Sequence, residues 1–506
     1  MAAAGPLGAI GKVSARERTY GPDDYQAEVD FLIQQGPRLT GSKAHNALID
    51  RIDETLNQMG LDIKSDNYTF DYLSAPAPPA SLLVDNKETV ISSVFPYSGL
   101  TPESGITANL VKLSGPLPFW PFASGKIAVV PLSNPPLPFS AIVESWDPSQ
   151  TEFTSVANPL IPATVAGVTL SAAKAAGVKG VIFAWDDSIT AANAQGQQVP
   201  FTFDYAGIPA VFVAGEASKD VIAAAKRRLS ATLIVHSSLI PQTPTRTVYA
   251  VVEGKDPKTK NEAIIIVTHT DGTNVIEENG HIGVLQLAQD VVAEQPQRAH
   301  IFVFTTGHFR IPAFTETGQA TTRWLDDHPE FWAGGVGQRK AVAGLAIEHL
   351  GAVRFREDLD YDTFFSTGAL ESELLYATTP QLAQTAKKWW KGPGTGEGAP
   401  TQISRPSSFI QFGEGASLSQ KQIPNVALVT APLYLLAEWE GDERALISMD
   451  ALHRQVENFR TLRHQLDHAV EGSYGTVTPP SLLDYAVDVV NIVAAVGRSV
   501  LEKIWK

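Results

Sequence analysis

The sequence predicts an α/β protein, with a mainly parallel sheet flanked by helices and a smaller β-rich α/β domain inserted into it. Three short apolar runs rich in β-branched residues, 263–267, 301–304 and 342–347, predict strands covered on both faces, as in parallel sheets. After the first run, apolar residues return with helical spacing from Gly283 onward. Residues 81–244 instead show short strands and proline-rich loops, which indicate the inserted domain.

The composition is that of a globular protein, and it argues against several functions. The 506 residues, 18% of them charged and 44% hydrophobic, are enough for two or three domains. The net charge of −15 argues against electrostatic binding to nucleic acid or to an anionic membrane. Because cysteine is absent, disulfides, thiolate nucleophiles and cysteine zinc sites are excluded, while either redox compartment stays open.

Neither end of the chain predicts a membrane span. Residues 1–13 are small and apolar with Lys12 placed late, which does not make a convincing signal peptide, and a secreted mature form with an added Met stays compatible. Residues 482–504 are hydrophobic but are interrupted by charged side chains, among them Asp484, Asp488, Arg498 and Glu502, so they predict an amphipathic helix. We expect a soluble protein whose localisation the sequence leaves open.

The first part of the chain predicts two helices and a strand. The helices, 22–35 and 43–59, flank the turn 36–42, and residues 62–70 follow as a strand. Arg38, in the turn, is either a substrate anchor or a tie between the two helices.

Two linkers frame the predicted insertion. Residues 74–80 are rich in Ser, Ala and Pro, and residues 241–247 are rich in Pro and Thr. We therefore expect one domain from 1–78 plus 245–506 and an inserted domain from 79–244. No titratable groups gather at strand ends inside the insertion, so we expect it to bind or gate rather than to catalyse.

The later part of the chain continues the alternating pattern. It predicts a helix at 379–390, a strand at 423–430 and helices at 450–466 and 481–504. The glycine-rich loop 392–398 follows no strand and lacks a Lys-Ser/Thr pair, so a flexible connection is favoured over a phosphate cradle.

Titratable side chains follow all three predicted parallel strands. They are His269, Asp271, Glu277, Glu278, His281, His308, Glu348 and His349. The carboxyl ends of parallel strands meet at one edge of a sheet, where ligands bind in open α/β proteins. A single such residue would be explained more simply as a capping or solvated group, but three strands ending this way predict a functional site.

With these motifs in view, the chain resembles the zinc-dependent aminopeptidase and glutamate-carboxypeptidase-like family, including members with an inserted protease-associated domain. Residues 36–42 and the following helix resemble the family's N-terminal segment, and residues 126–213 resemble the inserted domain. Residues 264–271 are similar to the strand that delivers the family's first metal-binding histidine. The resemblance implies a zinc-aminopeptidase-like fold and a metal-dependent peptidase.

Carried over residue by residue, the resemblance implies part of a metal site. His269 matches the family's first metal-binding histidine, and Asp271 matches the aspartate that orients it. Where the family has a metal-bridging aspartate, this chain has Glu277-Glu278-Asn279. Glu278 is the implied ligand there, since a carboxylate one methylene longer can still bind the metal.

The remaining positions depart from the family's pattern. Gly307-His308 replaces the Glu-Glu pair that supplies the general base and a ligand, so the base is absent and His308 stands for the ligand. Glu348, followed by His349, matches an aspartate ligand. The family's final histidine has no match in 431–437, so the standard two-zinc site is not intact.

The first functional hypothesis is a metal-dependent hydrolase of amide, peptide or ester bonds. It would use one ion, zinc or another divalent transition metal, which lowers the pKa of a bound water. The expected ligands are His269, Glu278, His308 and Glu348. Asp271 would orient a histidine, and Glu277 or His349 would act as the proton shuttle.

Two other hypotheses stay open. One is a metal-free acid–base enzyme, a lyase, isomerase or cyclase, that would use Glu278, His308 and His349 with the charge of His281. The other is a non-catalytic binding homologue that kept only the fold. The expected partners are a peptide or small-molecule substrate, with Glu414 on the substrate side, and a second copy of the chain in a homodimer.

Overall fold

A computed structural model describes residues 19–74, 78–115, 118–138, 143–147, 155–407, 411–470, 472–479 and 481. The helices are α1 (Tyr25–Gln35), α2 (Lys43–Gln58), α3 (Leu160–Gly167), α4 (Leu170–Ala175), α5 (Ala191–Ala194), α6 (Gly215–Lys226), α7 (Gly280–Glu294), α8 (Ala320–Asp327), α9 (Pro380–Trp389), α10 (Gly415–Gln420) and α11 (Met449–Asp467). The strands are β1 (Ile63–Ser74), β2 (Ala80–Val84), β3 (Lys87–Thr89), β4 (Ser93–Val94), β5 (Ile106–Lys112), β6 (Ile127–Leu132), β7 (Leu137–Pro138), β8 (Glu144–Ser145), β9 (Ser155–Val156), β10 (Gly180–Trp185), β11 (Ala210–Val213), β12 (Ser230–Val235), β13 (Ser238–Val252), β14 (Glu262–His269), β15 (Ala299–Thr305), β16 (Lys340–Ala346), β17 (Val353–Asp358), β18 (Thr363–Leu370), β19 (Leu374–Ala377), β20 (Gln402–Arg405) and β21 (Asn425–Val429).

A nine-stranded sheet carries the strands that the apolar runs predict. Its order is β1-β13-β15-β14-β16-β21-β19-β20-β8, and β15, β14, β16 and β21 are parallel neighbours. Both faces of this parallel part are buried, one under α1, α2, α7 and α11 and the other under α8 and α10. The predicted α/β fold, with large sheets flanked by helices, is confirmed.

The helix after the central strand begins where a glycine allows close packing. A Cβ atom on Gly280, the first residue of α7, would lie 1.9 Å from the carbonyl oxygen of Ile347. No side chain fits in that space, so the glycine lets the loop between β14 and α7 press against the end of β16. This contact brings residues 270–279 next to residues 347–350.

A second, eight-stranded sheet is formed by strands that lie between β1 and β13 in the sequence. Its order is β3-β2-β12-β5-β6-β10-β11-β4, and it has apolar cores on both faces. One short segment of the same stretch behaves differently, because β8 pairs with β20 at the edge of the nine-stranded sheet. Trp146 anchors this segment, since its indole N–H donates to the carbonyl oxygen of Ala377 at 2.8 Å.

The Pro/Thr linker predicted at 241–247 is wrong, because these residues lie inside strand β13. β13 pairs with β1 along most of its length, whereas its pairing with β15 covers only Val248–Val252. Pro241 and Pro244 therefore lie on the part of β13 that has β1 on one side only. A strand tolerates proline at such an edge, where no second neighbour needs its missing N–H.

Two predictions concern the C-terminal part of the chain. The helix predicted at 450–466 is confirmed as α11, whereas the helix predicted at 481–504 falls almost entirely outside the described residues. Within the part of the chain that the structure describes, no helix combines the length and the apolar character needed to cross a membrane.

Candidate metal centre

The three strand ends converge as the sequence predicts. His269 ends β14, His308 follows β15, and Glu348 and His349 follow β16. The imidazole rings of His269 and His308 stack with centroids 4.1 Å apart, and the ring of His349 lies 6.3 Å from that of His269. All four side chains are buried. One compact cluster therefore receives groups from three separate parts of the chain.

His269 presents a bare nitrogen to the cluster. Its Nδ1 lies 2.9 Å from the backbone carbonyl oxygen of Asp271, which can only accept, so Nδ1 carries the proton. Its Nε2 is buried and has no hydrogen-bond partner. Burial, together with the nearby His308 and His349, holds the pKa of His269 well below its usual value, so the ring is neutral.

His308 is held in the same way by a different acceptor. Its Nδ1 donates to Oε1 of Glu414 at 2.8 Å, and its Nε2 faces Oε1 of Glu277 at 3.5 Å. Burial lowers the pKa of His308, but the hydrogen bond and the charge of Glu414 outweigh burial and leave the pKa raised. Gly307, with φ of +105°, forms the turn that directs His308 into the cluster.

Glu277 is the carboxylate that lies between the two imidazoles. Its Oε2 is 3.7 Å from Nδ1 of His269, and neither carboxylate oxygen has a hydrogen-bond partner. Ligand atoms of His269, Glu277 and His308 all lie within 4.8 Å of one another. Burial, and then the charges of Glu278 and Asp271, raises the pKa of Glu277 well above its usual value. An ionised Glu277 therefore needs a cation beside it, either a protonated His308, whose Nε2 lies 3.5 Å away, or a bound metal.

Glu278 lies in a separate pocket with its own cation. Its Oε1 accepts a hydrogen bond from Nε of Arg38, and both side chains are fully buried. Arg38 also donates to the carbonyl oxygen of Leu32 at 2.6 Å, so it ties α1 to this loop as well. Burial raises the pKa of Glu278 to about 7, although Arg38 opposes the shift.

Glu348 and His349 form a second group of possible ligands with His269. Ligand atoms of His269, Glu348 and His349 also lie within 4.8 Å of one another. His349 has a left-handed φ of 55°, which is uncommon for a residue other than glycine, and neither of its ring nitrogens has a hydrogen-bond partner. Burial lowers the pKa of His349 to about 3, while burial and then the charge of Glu414 raise the pKa of Glu348 to about 8.

Asp271 contributes to the site mainly through its backbone. Its carbonyl oxygen accepts a hydrogen bond from Nδ1 of His269. Its carboxylate accepts hydrogen bonds from the backbone N–H of Phe309, at 2.8 Å, and from the hydroxyl of Thr40. Asp271 thus fixes the segments around two histidines. His281, predicted as a neighbour, instead has its Nε2 3.6 Å from Oε2 of Glu28, on the α1 side of the loop.

The sequence predicts Glu414 on the substrate side and does not reveal its contact with His308. The side chain of Glu414 is fully buried and accepts a hydrogen bond from His308. The short motif Gly413-Glu414-Gly415 carried a usable signal, because glycines on both sides of a buried charge indicate a close approach of the backbone. The partner could not be read from the sequence, since it lies 106 residues away.

The donor set fits a divalent transition metal. Two neutral imidazole nitrogens with carboxylate oxygens are common ligands of zinc and of neighbouring transition metals. Buried polar atoms without partners are rare in folded proteins, yet several occur together here. They are Nε2 of His269, Oδ1 of Asp271, both carboxylate oxygens of Glu277, Oε2 of Glu278, Oε2 of Glu348 and both ring nitrogens of His349.

The α/β fold described above is similar to the metallopeptidase fold of solved structures. The solved structures that it matches include a zinc aminopeptidase, a further aminopeptidase and a peptidase named M28. The aminopeptidase of Aneurinibacillus sp. strain AM-1 has a TM-score of 0.59 at 14% identity, over 92% of this chain and 97% of that one.

Two further structures give the same result. The zinc aminopeptidase BSAP of Bacillus subtilis has a TM-score of 0.58 at 14% identity, over 90% of this chain and 98% of that one. The peptidase M28 precursor of Shewanella amazonensis has a TM-score of 0.57 at 15% identity, over 91% and 100%. At this identity the likeness establishes the fold. No protein family model matches the sequence, and no curated protein matches it.

Proposed function

We propose that this protein is a metal-dependent hydrolase of peptide, amide or ester bonds. The observation that carries the proposal is the state of the two stacked imidazoles. Each donates its Nδ1 proton to an oxygen acceptor, which leaves the Nε2 atoms of His269 and His308 for another partner. Glu277 lies close to both rings, 3.5 Å from Nε2 of His308 and 3.7 Å from Nδ1 of His269. This is the arrangement of metal-binding histidines, whose second nitrogen is held by a carbonyl or a carboxylate.

We propose His269, His308 and Glu277 as the ligands of a single ion, zinc or another divalent transition metal. This choice replaces Glu278, the ligand expected from the sequence, because Arg38 already compensates its charge. The donor group with Glu348 and His349 shares His269 with the first group. Because Nδ1 of His269 is already bonded to the carbonyl oxygen of Asp271, His269 has one nitrogen to offer, which favours a mononuclear centre with Glu348 as a further ligand.

A metal at this position would supply a bound water of lowered pKa and would polarise a substrate carbonyl. His349 is the proposed proton shuttle, because its two ring nitrogens have no protein partner and its left-handed backbone holds the ring toward the cluster. Asp271 and Glu414 hold the ligand histidines in one tautomer.

The inserted segment 79–244 is proposed as a protease-associated-like domain that covers the site. The ring of Phe201 lies 5.1 Å from the ring of His308, and the same apolar core includes Phe309. Arg310 adds a second tie, since its guanidinium donates to the carbonyl oxygen of Phe203 at 3.1 Å. A substrate would therefore meet the segment around Phe201 and Phe203 before it reaches the proposed ligands, which supports a role of this segment in specificity.

Metal analysis and hydrolysis assays test the proposal. Protein purified without a histidine tag should carry about one transition-metal ion per chain. Aminoacyl p-nitroanilides and the corresponding esters are suitable substrates, because the fold neighbours include enzymes named as aminopeptidases. A chelator should abolish turnover and added zinc should restore it. Turnover that survives complete removal of metal would contradict the proposal.

A metal-free acid–base enzyme is the second candidate, and one observation favours it. Without a metal, burial raises the pKa of Glu278 to about 7 and that of Glu348 to about 8, the range in which carboxyl groups act as acids and bases near neutral pH. Metal-free protein that converts a substrate without consuming water would identify this activity. Replacing Glu348 by glutamine should then abolish the conversion.

A further inference from the structure

Glu414 is held at three points, all within or beside the metal centre. Its Oε1 accepts the proton of His308 Nδ1 at 2.8 Å, and its Oε2 accepts a hydrogen bond from the backbone N–H of Thr321 at 2.7 Å. Its own backbone N–H donates to Oε1 of Glu348 at 2.5 Å. One buried residue thus contacts two candidate ligands, His308 through its side chain and Glu348 through its backbone.

The two flanking glycines make this approach possible. Gly413 has φ of +76°, and a Cβ atom there would lie 2.2 Å from Oε2 of Glu348. A Cβ atom on Gly415 would lie 2.6 Å from the Cβ atom of Ala427. Any larger residue would push Glu414 away from His308 or Glu348. The two glycines are therefore needed for Glu414 to contact both His308 and Glu348.

We propose that Glu414 is a positioning residue that sets the tautomer and the direction of His308. The inference rests on the proposed function in one respect only, that His308 is a metal ligand. A carboxylate can only accept, so Glu414 requires the proton on Nδ1 and turns Nε2 toward Glu277. The positioning acts before any metal binds.

The two histidines differ in what holds them. The acceptor for His269 Nδ1 is a backbone carbonyl, which a side-chain substitution leaves in place. The acceptor for His308 Nδ1 is a side chain, so a substitution can remove it selectively. Glu414 is therefore the residue through which the geometry of this ligand can be changed without altering either imidazole.

The test is Glu414→Gln, with Glu373→Gln as the matched control. Glutamine offers one acceptor atom where the carboxylate offers two. The backbone N–H of Thr321 can only donate, so the amide oxygen should face Thr321 and the amide NH2 should face His308, which requires a bare Nδ1 there. Glu373 is also buried and accepts hydrogen bonds from Trp390 and Arg454, but it does not contact the candidate ligands. The control thus reproduces the loss of a buried carboxylate without the loss of positioning.

Two measurements are made on each protein. Nitrogen-15 spectra of histidine-labelled, metal-free protein, assigned with His308→Gln, report which ring nitrogen of His308 carries a proton. Competition with a chromophoric chelator reports zinc affinity. We expect Nδ1 of His308 to be protonated in the wild type and bare in Glu414→Gln, with zinc affinity reduced about 10- to 100-fold. Glu373→Gln should change neither reading.

A wild-type spectrum in which Nδ1 of His308 carries no proton would overturn the inference, even if the variant does not fold. Unchanged protonation and zinc affinity in a folded Glu414→Gln would overturn it as well. Failure of the proposed function looks different, because the wild type would then bind no zinc while the spectra of metal-free protein still decide the role of Glu414.

Discussion

Glu277 and Glu278 are consecutive and equally buried, yet they lie in opposite surroundings. Glu278 meets the guanidinium of Arg38, which compensates its charge within the protein. Glu277 meets two imidazoles and other carboxylates, and neither of its oxygens has a hydrogen-bond partner. A buried charge is tolerated only when it is paired or bound to a metal. The charge of Glu278 is therefore compensated by a permanent cation, whereas that of Glu277 can be compensated only by a protonated imidazole or by a bound metal.

The largest expected effect separates the two glutamates by metal binding. Glu277→Gln removes a charged ligand and should reduce zinc affinity and hydrolysis by about a thousandfold, roughly 4 kcal/mol. Glu278→Gln, the matched control, should leave zinc affinity within about tenfold of the wild type, because its carboxylate faces Arg38. Zinc titration against a competing chelator measures both. Equal losses in the two variants would end the distinction.

The second prediction concerns stability. Arg38→Met leaves Glu278 buried without its cation and should lower the free energy of unfolding by about 3 kcal/mol. The double variant Arg38→Met/Glu278→Leu should recover most of that loss, since it removes both charges. In metal-free protein, Glu277→Gln should be neutral or stabilising, because burial and the neighbouring carboxylates Glu278 and Asp271 disfavour the charge of Glu277. Urea unfolding of the four proteins checks this set, and a destabilising Glu277→Gln would contradict it.

The third prediction links metal and folding. Zinc that binds only the folded protein should stabilise it, by about 2.7 kcal/mol at a free concentration one hundred times Kd. The stabilisation should disappear in Glu277→Gln and persist in Glu278→Gln. Thermal unfolding with and without zinc gives the comparison, with magnesium as the control cation because it prefers an all-oxygen shell.

The fourth prediction concerns the pH dependence of stability and His45, which supports the loop between the two pockets. It accepts a hydrogen bond from the N–H of Gly41 at Nδ1, and its Nε2 lies 2.8 Å from the hydroxyl of Thr270. Burial lowers the pKa of His45 to about 4. The unfolded chain takes up this proton first as pH falls, so His45 should cost stability between pH 6.5, the usual histidine value, and about 4.

The expected slope for this one group is at most about 1.4 kcal/mol per pH unit. The contribution should be absent above pH 6.5 and complete below pH 4. His45→Gln cannot be protonated, so its stability should depend less on pH in this interval. Urea unfolding from pH 7 to pH 4 measures the difference, and parallel pH profiles would contradict the assignment.

The sequence predicted the parts of the site that follow from the alternation of strand and helix. Apolar runs located β14, β15 and β16, and the residues directly after them supplied both stacked imidazoles. The choice between Glu277 and Glu278 could not be predicted, because it depends on Arg38, which lies 240 residues before Glu278. The prolines of β13 misled the linker prediction for a similar reason. Their local preference for a loop is overridden by pairing with β1, which the sequence does not reveal.

Anomalous diffraction at the zinc edge, from crystals of the wild type grown with zinc and without a histidine tag, tests the central claim most directly. We expect one peak, about 2.0–2.2 Å from Nε2 of His269, Nε2 of His308 and a carboxylate oxygen of Glu277. A peak bound by Glu278, or no peak in this cluster at saturating zinc, would contradict it.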